Sequence, residues 1–288
     1  MRLNEPMSRH TTMQVGGPAE LFVEPAGQEE LLRLLGWCRA RELTFLLIGE
    51  GSNLIVRDGG FPGLVIRVGQ GLAKVSVSGR LILAEAGVRL AELARTAAAA
   101  GLSGLEFAVG IPGSLGGGLF MNAGAYGGEL GGLVRQCKVV TETGEVRCLS
   151  GGEMEFGYRH SVLQERPWYA LEATLELAPG DPEAIAARMS DLTAQREAKQ
   201  PLELPSAGSV FRRPEGYYVG KLVEEAGLRG FRIGGAQVSE KHTGFIVNTG
   251  GATAGEVVAL IRHIQTVVRD RFGVSLEPEA RIVGEDLR

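Results

Sequence analysis

The 288-residue sequence has only three cysteines, Cys38, Cys137 and Cys148, and no CxxC pair. An odd, scattered set gives no disulfide framework and suits a reducing compartment, so the three are expected to be buried small apolar groups. Histidine is equally sparse. His10, His160, His242 and His263 lie far apart, with no HExxH and no Cys/His spacing for a tetrahedral site, so no metal is expected. A basic surplus is also missing, since 30 Lys and Arg stand against 34 Asp and Glu for a net charge of -4. That balance offers little to neutralise a phosphate backbone, and nucleic acid is not an expected partner. The first ten residues, MRLNEPMSRH, carry charges and no apolar core, which argues against a signal peptide and for a cytoplasmic protein. The longest uncharged stretch, 107–128, holds eight glycines and a proline, which suits a loop better than a membrane helix. No membrane partner is expected either.

What is abundant is glycine, 43 residues, about twice the usual share of roughly 7%. The glycines cluster locally between short apolar runs. Leu21–Val23, Thr44–Ile48, Leu64–Arg67, Leu81–Glu85, Cys137–Thr141 and Trp168–Leu177 read as strands. Helical periodicity appears at Glu29–Arg41, where Leu31, Leu34, Leu35 and Cys38 share a face, and at Leu90–Ala100, closed by Gly101. After the breakers Ala178-Pro179-Gly180, Asp181 can cap and Pro182 can open a helix that stops before Pro201. The pair Thr253 and Glu256 is a capping-box pattern, and a helix bearing Val257, Leu260, Ile261, Ile264, Val267 and Val268 should run from there to Gly273. This predicts a mixed α and β segment up to the breaker cluster near residue 180, a domain boundary there, and an α+β domain over the remainder.

Two glycine clusters could carry chemistry. Gly49-Glu50-Gly51-Ser52-Asn53 follows the strand Thr44–Ile48, and its N–H groups could form an anion nest with Ser52 and Asn53 adding side-chain donors. By itself it reads more readily as a tight strand-to-loop turn. A Rossmann fingerprint would need glycine where Leu54 stands, and Gly220-Lys221 is followed by Leu222, so neither that fold nor a Walker loop is expected. The second cluster runs from Gly110 through Pro112, Gly113, Ser114, Gly116, Gly117 and Gly118, then through Asn122, Ala123 and Gly124 to Gly128. So few side chains leave little to fill a core and point to backbone approaching a large ligand, with a mobile surface loop as the alternative.

Eight blocks occur in order: Thr11–Ala19, Gly49–Leu54, GIPGSLGG from Gly110, MNAGAYGGE from Met121, Phe156–Ser161, Pro205–Phe211, Gly234–Ser239 and Leu276–Glu279. Together they resemble the UDP-N-acetylenolpyruvoylglucosamine reductase family. The resemblance implies a non-Rossmann FAD-binding fold of two α+β subdomains (PCMH-like), spanning 1–60 and 61–180, and an α+β substrate-binding domain at 181–288. It also implies NADPH-dependent, FAD-mediated reduction of an enolpyruvyl UDP-sugar to UDP-N-acetylmuramate for peptidoglycan synthesis. FAD is expected to be non-covalent, because the first glycine cluster contains no His or Cys. The short span from Arg159 to Ser209 resembles the subclass without an inserted tyrosine loop.

By the same resemblance, Arg159, Ser209 and Glu279 are catalytic, with Ser209 donating the proton and Arg159 and Glu279 at the substrate carboxylate. Gly49, Glu50, Gly51, Ser52, Asn53 and Leu54 of the first cluster are expected at the cofactor. So are Pro112, Gly113, Ser114, Gly116, Gly117, Asn122, Ala123 and Gly124 of the second, with Arg196 and Arg281. Tyr158, Lys199, Arg212, Arg213 and His242 are expected at the substrate. On the residues alone, Arg159 reads as a surface ion-pair partner, Ser209 as a turn hydroxyl, and Glu279 as an exposed acid. Two other classes are a flavoprotein oxidase, separable by anaerobic reduction with NADPH, and a silent nucleotide-binding module, separable by the absence of a flavin spectrum.

Overall fold

The computed structural model describes residues 1–287. Its packing divides the chain into two compact units that interleave in sequence: a central unit, Val23–Glu50 with Ile66–Arg196, and a terminal unit, Met1–Phe22, Gly51–Val65 and the chain from Glu197 onward. The breaker cluster at 178–182, read as a domain boundary, falls within the central unit, which runs on to Arg196. Pro182 does open a helix, Pro182–Lys199, but its residues up to Arg196 pack with the central unit.

The central unit is built on a five-stranded antiparallel sheet in the order Val146–Ser150, Val134–Val140, Tyr169–Glu176, Leu81–Glu85, Val75–Ser78. Period-two patterning sets its faces. On Tyr169–Glu176, Leu171, Ala173 and Leu175 are buried while Glu172, Thr174 and Glu176 are partly exposed. The helix Leu90–Ala99 adds Leu90, Leu93, Ala94 and Ala97 to the same core as Ala173 and Leu175. In Gln28–Ala40 the expected face holds for Leu31, Leu35 and Cys38, with Leu34 at its margin. Cys137 is buried, and desolvation pushes its thiol up to about 12. Cys148 corrects the expectation for cysteine: it is exposed, because the edge strand pairing it with Lys138 turns its side chain away from the core.

The terminal unit carries a four-stranded antiparallel sheet in the order Ser206–Ser209, Phe245–Asn248, Ala236–Val238, Arg232–Ile233. The capping box forms as expected: Thr253 Oγ1 accepts the Glu256 N–H at 3.1 Å, and Glu256 Oε2 accepts the Thr253 N–H at 3.0 Å. Asp58 caps the next two N–H groups, those of Ala254 and Gly255, at 2.8 and 2.7 Å. The resulting helix, Ala254–Phe272, ends at left-handed Gly273 and buries Val257, Leu260, Ile261, Ile264 and Val268. A parallel pair, Leu54–Val56 with Arg281–Val283, joins the end of the first glycine cluster to the carboxyl-terminal segment.

One element departs from the sequence reading. Leu115–Met121, expected as loop, is a short helix despite three consecutive glycines. Leu115 and Leu119 enter the central core, so tertiary burial overrides the glycines' poor helix propensity. Among the described residues no helix is long and apolar enough to cross a membrane.

Candidate active site and cofactor cradle

In the central unit the beginning of the first glycine cluster meets the second. A Cβ on Gly49 would overlap the Ser114 hydroxyl, so glycine there lets the two clusters approach with the hydroxyl in its present rotamer. The second cluster is held by main-chain bonds: Leu90 N–H to the Gly113 carbonyl at 3.0 Å, Leu115 N–H to Val88 at 2.7 Å, and Gly116 N–H to Ala86 at 2.8 Å. Gly117 is the open position. It is exposed, and a Cβ there would meet only the Ser114 Oγ, at 3.9 Å. Beside this cluster Arg196 lies with its Cδ 2.7 Å from where a Gly110 Cβ would stand. Its guanidinium is half-buried, and desolvation pushes it below the ordinary arginine range, with Tyr126 acting in the opposite direction. Among the described residues no carboxylate pairs with it. Open backbone together with a desolvated cation fits an anionic, diphosphate-bearing ligand.

The block containing Asn122 and the block containing Arg159 are stitched together in this unit. The fully buried Asn122 carboxamide donates to the Gly157 carbonyl at 2.9 Å and accepts the Gly131 N–H at 2.8 Å. Its amide thus serves the backbone. Arg159 donates to the Gly124 carbonyl at 3.2 Å, and its guanidinium carbon lies 5.3 Å from the Tyr158 ring centroid. Its own carbonyl accepts from Gln164 at 2.9 Å. Asn122, Tyr126 and Arg159 all adopt positive φ, at 43°, 52° and 54°. Such backbone is costly for side-chain-bearing residues and is held here by surrounding bonds.

In the terminal unit Gly51, at φ 63°, faces the His10 carbonyl where a Cβ would collide, and its own carbonyl accepts the Thr12 N–H at 3.2 Å. Asn53 donates from Nδ2 to the Glu279 carbonyl at 3.1 Å, and Arg281 N–H donates to the Asn53 carbonyl at 3.0 Å. Glu279 N–H in turn reaches the Val210 carbonyl at 2.7 Å. Ser209 is exposed next to buried Val210, where the pairing of Ser206–Ser209 with Phe245–Asn248 shifts register between Ser206 and Ser209. A bulge of this kind re-aims a side chain. The structure therefore brings Ser209, Glu279, Asn53 and Arg281 into one neighbourhood.

His242 belongs to the turn that enters the partner strand. Its Nδ1 accepts the Gly244 N–H at 3.1 Å and its ring meets Phe245 edge-on at 4.9 Å. Burial, with nearby Arg229 adding, lowers its pKa, so the neutral ring carries its proton on Nε2. Arg213 stacks over Tyr218 at 3.9 Å and donates from Nε to the Tyr217 carbonyl at 3.1 Å. The Arg212 N–H binds the Glu277 carbonyl at 2.9 Å, and Lys199 is exposed at the end of its helix. Sequence reasoning passed over Thr12, whose hydroxyl binds the Ser206 carbonyl at 2.6 Å, and Asn248, which binds the Met13 carbonyl at 3.2 Å. Thr12 lies in the first of the eight ordered blocks, which was the available signal. Asn248 left none.

Comparison with known proteins bears on these two neighbourhoods. Residues 19–150 match the family described as FAD binding domain, and residues 200–283 match the UDP-N-acetylenolpyruvoylglucosamine reductase, C-terminal domain. The chain is similar to the UDP-N-acetylenolpyruvoylglucosamine reductases of Caldanaerobacter subterraneus subsp. tengcongensis, at 49% identity over 98% of this chain and 93% of the relative. Its identity to the enzyme of Pediococcus pentosaceus is 50% over 98% and 94%. The crystal structure of the UDP-N-acetylenolpyruvylglucosamine reductase (MurB) from Thermus caldophilus superposes with a TM-score of 0.83 at 36% identity, over 96% of this chain and 97% of that one. Near-full-length identity of this order and both matched domains establish that the chain belongs to the UDP-N-acetylenolpyruvoylglucosamine reductase family of oxidoreductases.

Proposed function

We propose that the protein reduces UDP-N-acetylglucosamine enolpyruvate to UDP-N-acetylmuramate, with NADPH as reductant and non-covalent FAD as cofactor. The chemistry FAD supplies when bound is transfer of a hydride from NADPH to the terminal carbon of the enolpyruvyl group. Negative charge then develops on the adjacent carbon and spreads into the carboxylate. Arg159 and Glu279 are assigned to that end of the substrate, where the permanently charged, forked guanidinium of Arg159 binds a carboxylate by two bonds. Ser209 supplies the proton to the adjacent carbon. A serine is a weak acid, so its role rests on position, and the observation that carries the reading is the bulge that exposes Ser209 beside the Glu279 main chain.

Tyr158, Lys199, Arg212, Arg213 and His242 are assigned to the UDP-sugar. The neutral His242 offers Nε2–H as a donor, and Arg213, already ordered against Tyr218, offers a cation to the diphosphate. Arg196 and Arg281 join the two glycine clusters in holding FAD. The functional segments are 1–60 and 61–180 for the cofactor and 181–288 for the substrate. The activity places the protein in the cytoplasm, serving cell-wall biogenesis, cell shape and division. Incubation with UDP-N-acetylglucosamine enolpyruvate and NADPH under anaerobic conditions, followed by mass measurement, should show a product heavier by two hydrogens. Unchanged substrate with a flavin-loaded protein would overturn the reading.

A further inference from the structure

We infer that Arg67 and Arg89, acting through Glu50, are positioning residues that fix the beginning of the first glycine cluster against the second; this rests on the FAD reading above. Glu50 follows Gly49 directly, and its side chain is only 17% exposed. Its two oxygens go to different guanidiniums: Oε1 accepts from Arg67 Nη2 at 3.2 Å and Oε2 from Arg89 Nη2 at 2.8 Å. Arg67 ends the strand Phe61–Arg67 and is held from its other side by Glu24 at 3.0 Å. Among the described residues its buried Nε has no hydrogen-bond partner, and the two carboxylates orient this guanidinium.

Arg89 belongs to both clusters at once. Its main chain bridges Ser114, the residue against which Gly49 packs, while its side chain holds Glu50. The adjacent Leu90 N–H binds the Gly113 carbonyl at 3.0 Å. A single residue therefore ties the second cluster through backbone and the first through charge. Main-chain donors hold a diphosphate only where their spacing is fixed before the ligand arrives, because ordering them on binding costs affinity. A carboxylate inside an anion-binding loop opposes a diphosphate unless it is neutralised, and two arginines on one carboxylate do that.

The test is FAD release from the holoenzyme, read as flavin fluorescence regained on dilution, together with the visible band shape of the bound flavin and thermal melting. Glu50→Gln should weaken FAD by about tenfold, and Arg89→Gln, whose side chain is half exposed, by about fivefold. Combined, the two should cost no more than Glu50→Gln alone, since both break one linkage. Arg89→Lys should recover part of the loss and restore the wild-type band shape. If Arg89 instead touches the cofactor directly, Arg89→Gln costs the same in either background and Glu50→Gln leaves FAD binding unchanged or tighter. That result, or FAD affinity equal to wild type in both single variants, overturns the inference while leaving the FAD reading intact. A wild-type protein that never binds FAD overturns both.

Discussion

The two units solve the problem of presenting polar groups in opposite ways. In the central unit the reading proposed above makes backbone the functional surface: Gly49, Gly113, Gly116 and Gly117 carry no side chain, and Asn122 is turned inward to tie loops together. The terminal unit instead keeps a regular antiparallel sheet and breaks its register once, where the exposed hydroxyl of Ser209 emerges. A cofactor common to many enzymes can be held by main-chain donors that every residue possesses. Selective chemistry on one carbon needs individual side chains, and those are best aimed from a stiff scaffold.

The largest effect that could break this contrast is Ser209→Ala. It should leave the half-reaction with NADPH nearly intact and slow the half-reaction with the enolpyruvyl substrate by about 10²–10⁴-fold, which stopped-flow resolves. A loss below about threefold, or a loosened cofactor, would erase the division of labour between the units. Next in size is Arg159→Lys, which retains charge and gives up the planar fork. A drop of about tenfold or more in the same half-reaction is expected, and wild-type rates would leave only charge screening for this residue.

Glycine substitutions sharpen the contrast at intermediate size. Gly117→Val adds a side chain to an open position and should weaken FAD by roughly tenfold while altering the melting temperature little. Gly51→Val is a different experiment, since it meets the His10 carbonyl at a left-handed position, and melting should fall by about 5 °C or more. Similar melting in the two variants would mean that neither position is read correctly.

A smaller effect concerns the terminal unit alone. The folded His242 resists protonation, so its stabilising contribution is complete above the ordinary value of 6.5 and declines as pH falls from there towards its lowered folded value. His242→Asn should therefore flatten the decline in melting temperature below pH 6.5, and parallel curves for variant and wild type would refute a lowered pKa. The smallest concerns the central unit: iodoacetamide on the native protein should label Cys148 and spare Cys137, whose thiol is buried and pushed up to about 12, as peptide mapping would show.

Elements specified by neighbours in sequence were legible. The capping box at Thr253 and the proline opening at Pro182 mark helix starts found within a residue, because capping depends on three or four consecutive side chains. Phe245–Asn248 escaped detection, since three apolar residues and an asparagine do not announce a strand until a strand pairs on each side of them. The same reason hides the bulge at Ser209, which is a property of register with that strand. The glycine clusters were visible as composition, yet their mutual placement depends on Arg67 and Arg89, whose charges carry no mark in the sequence that they will meet Glu50.

The left-handed backbone at Arg159 sets local strain against the role proposed for its side chain. Any residue with a Cβ gives up about 1 kcal/mol or more to sit at φ 54°, and glycine alone is at ease there. Arg159→Gly would relieve that backbone strain and give up the guanidinium with its bond to the Gly124 carbonyl and its packing on Tyr158. A breeder of hardier forms of this enzyme would have to score turnover alongside survival here, since the role proposed for Arg159 rests on the guanidinium that glycine lacks.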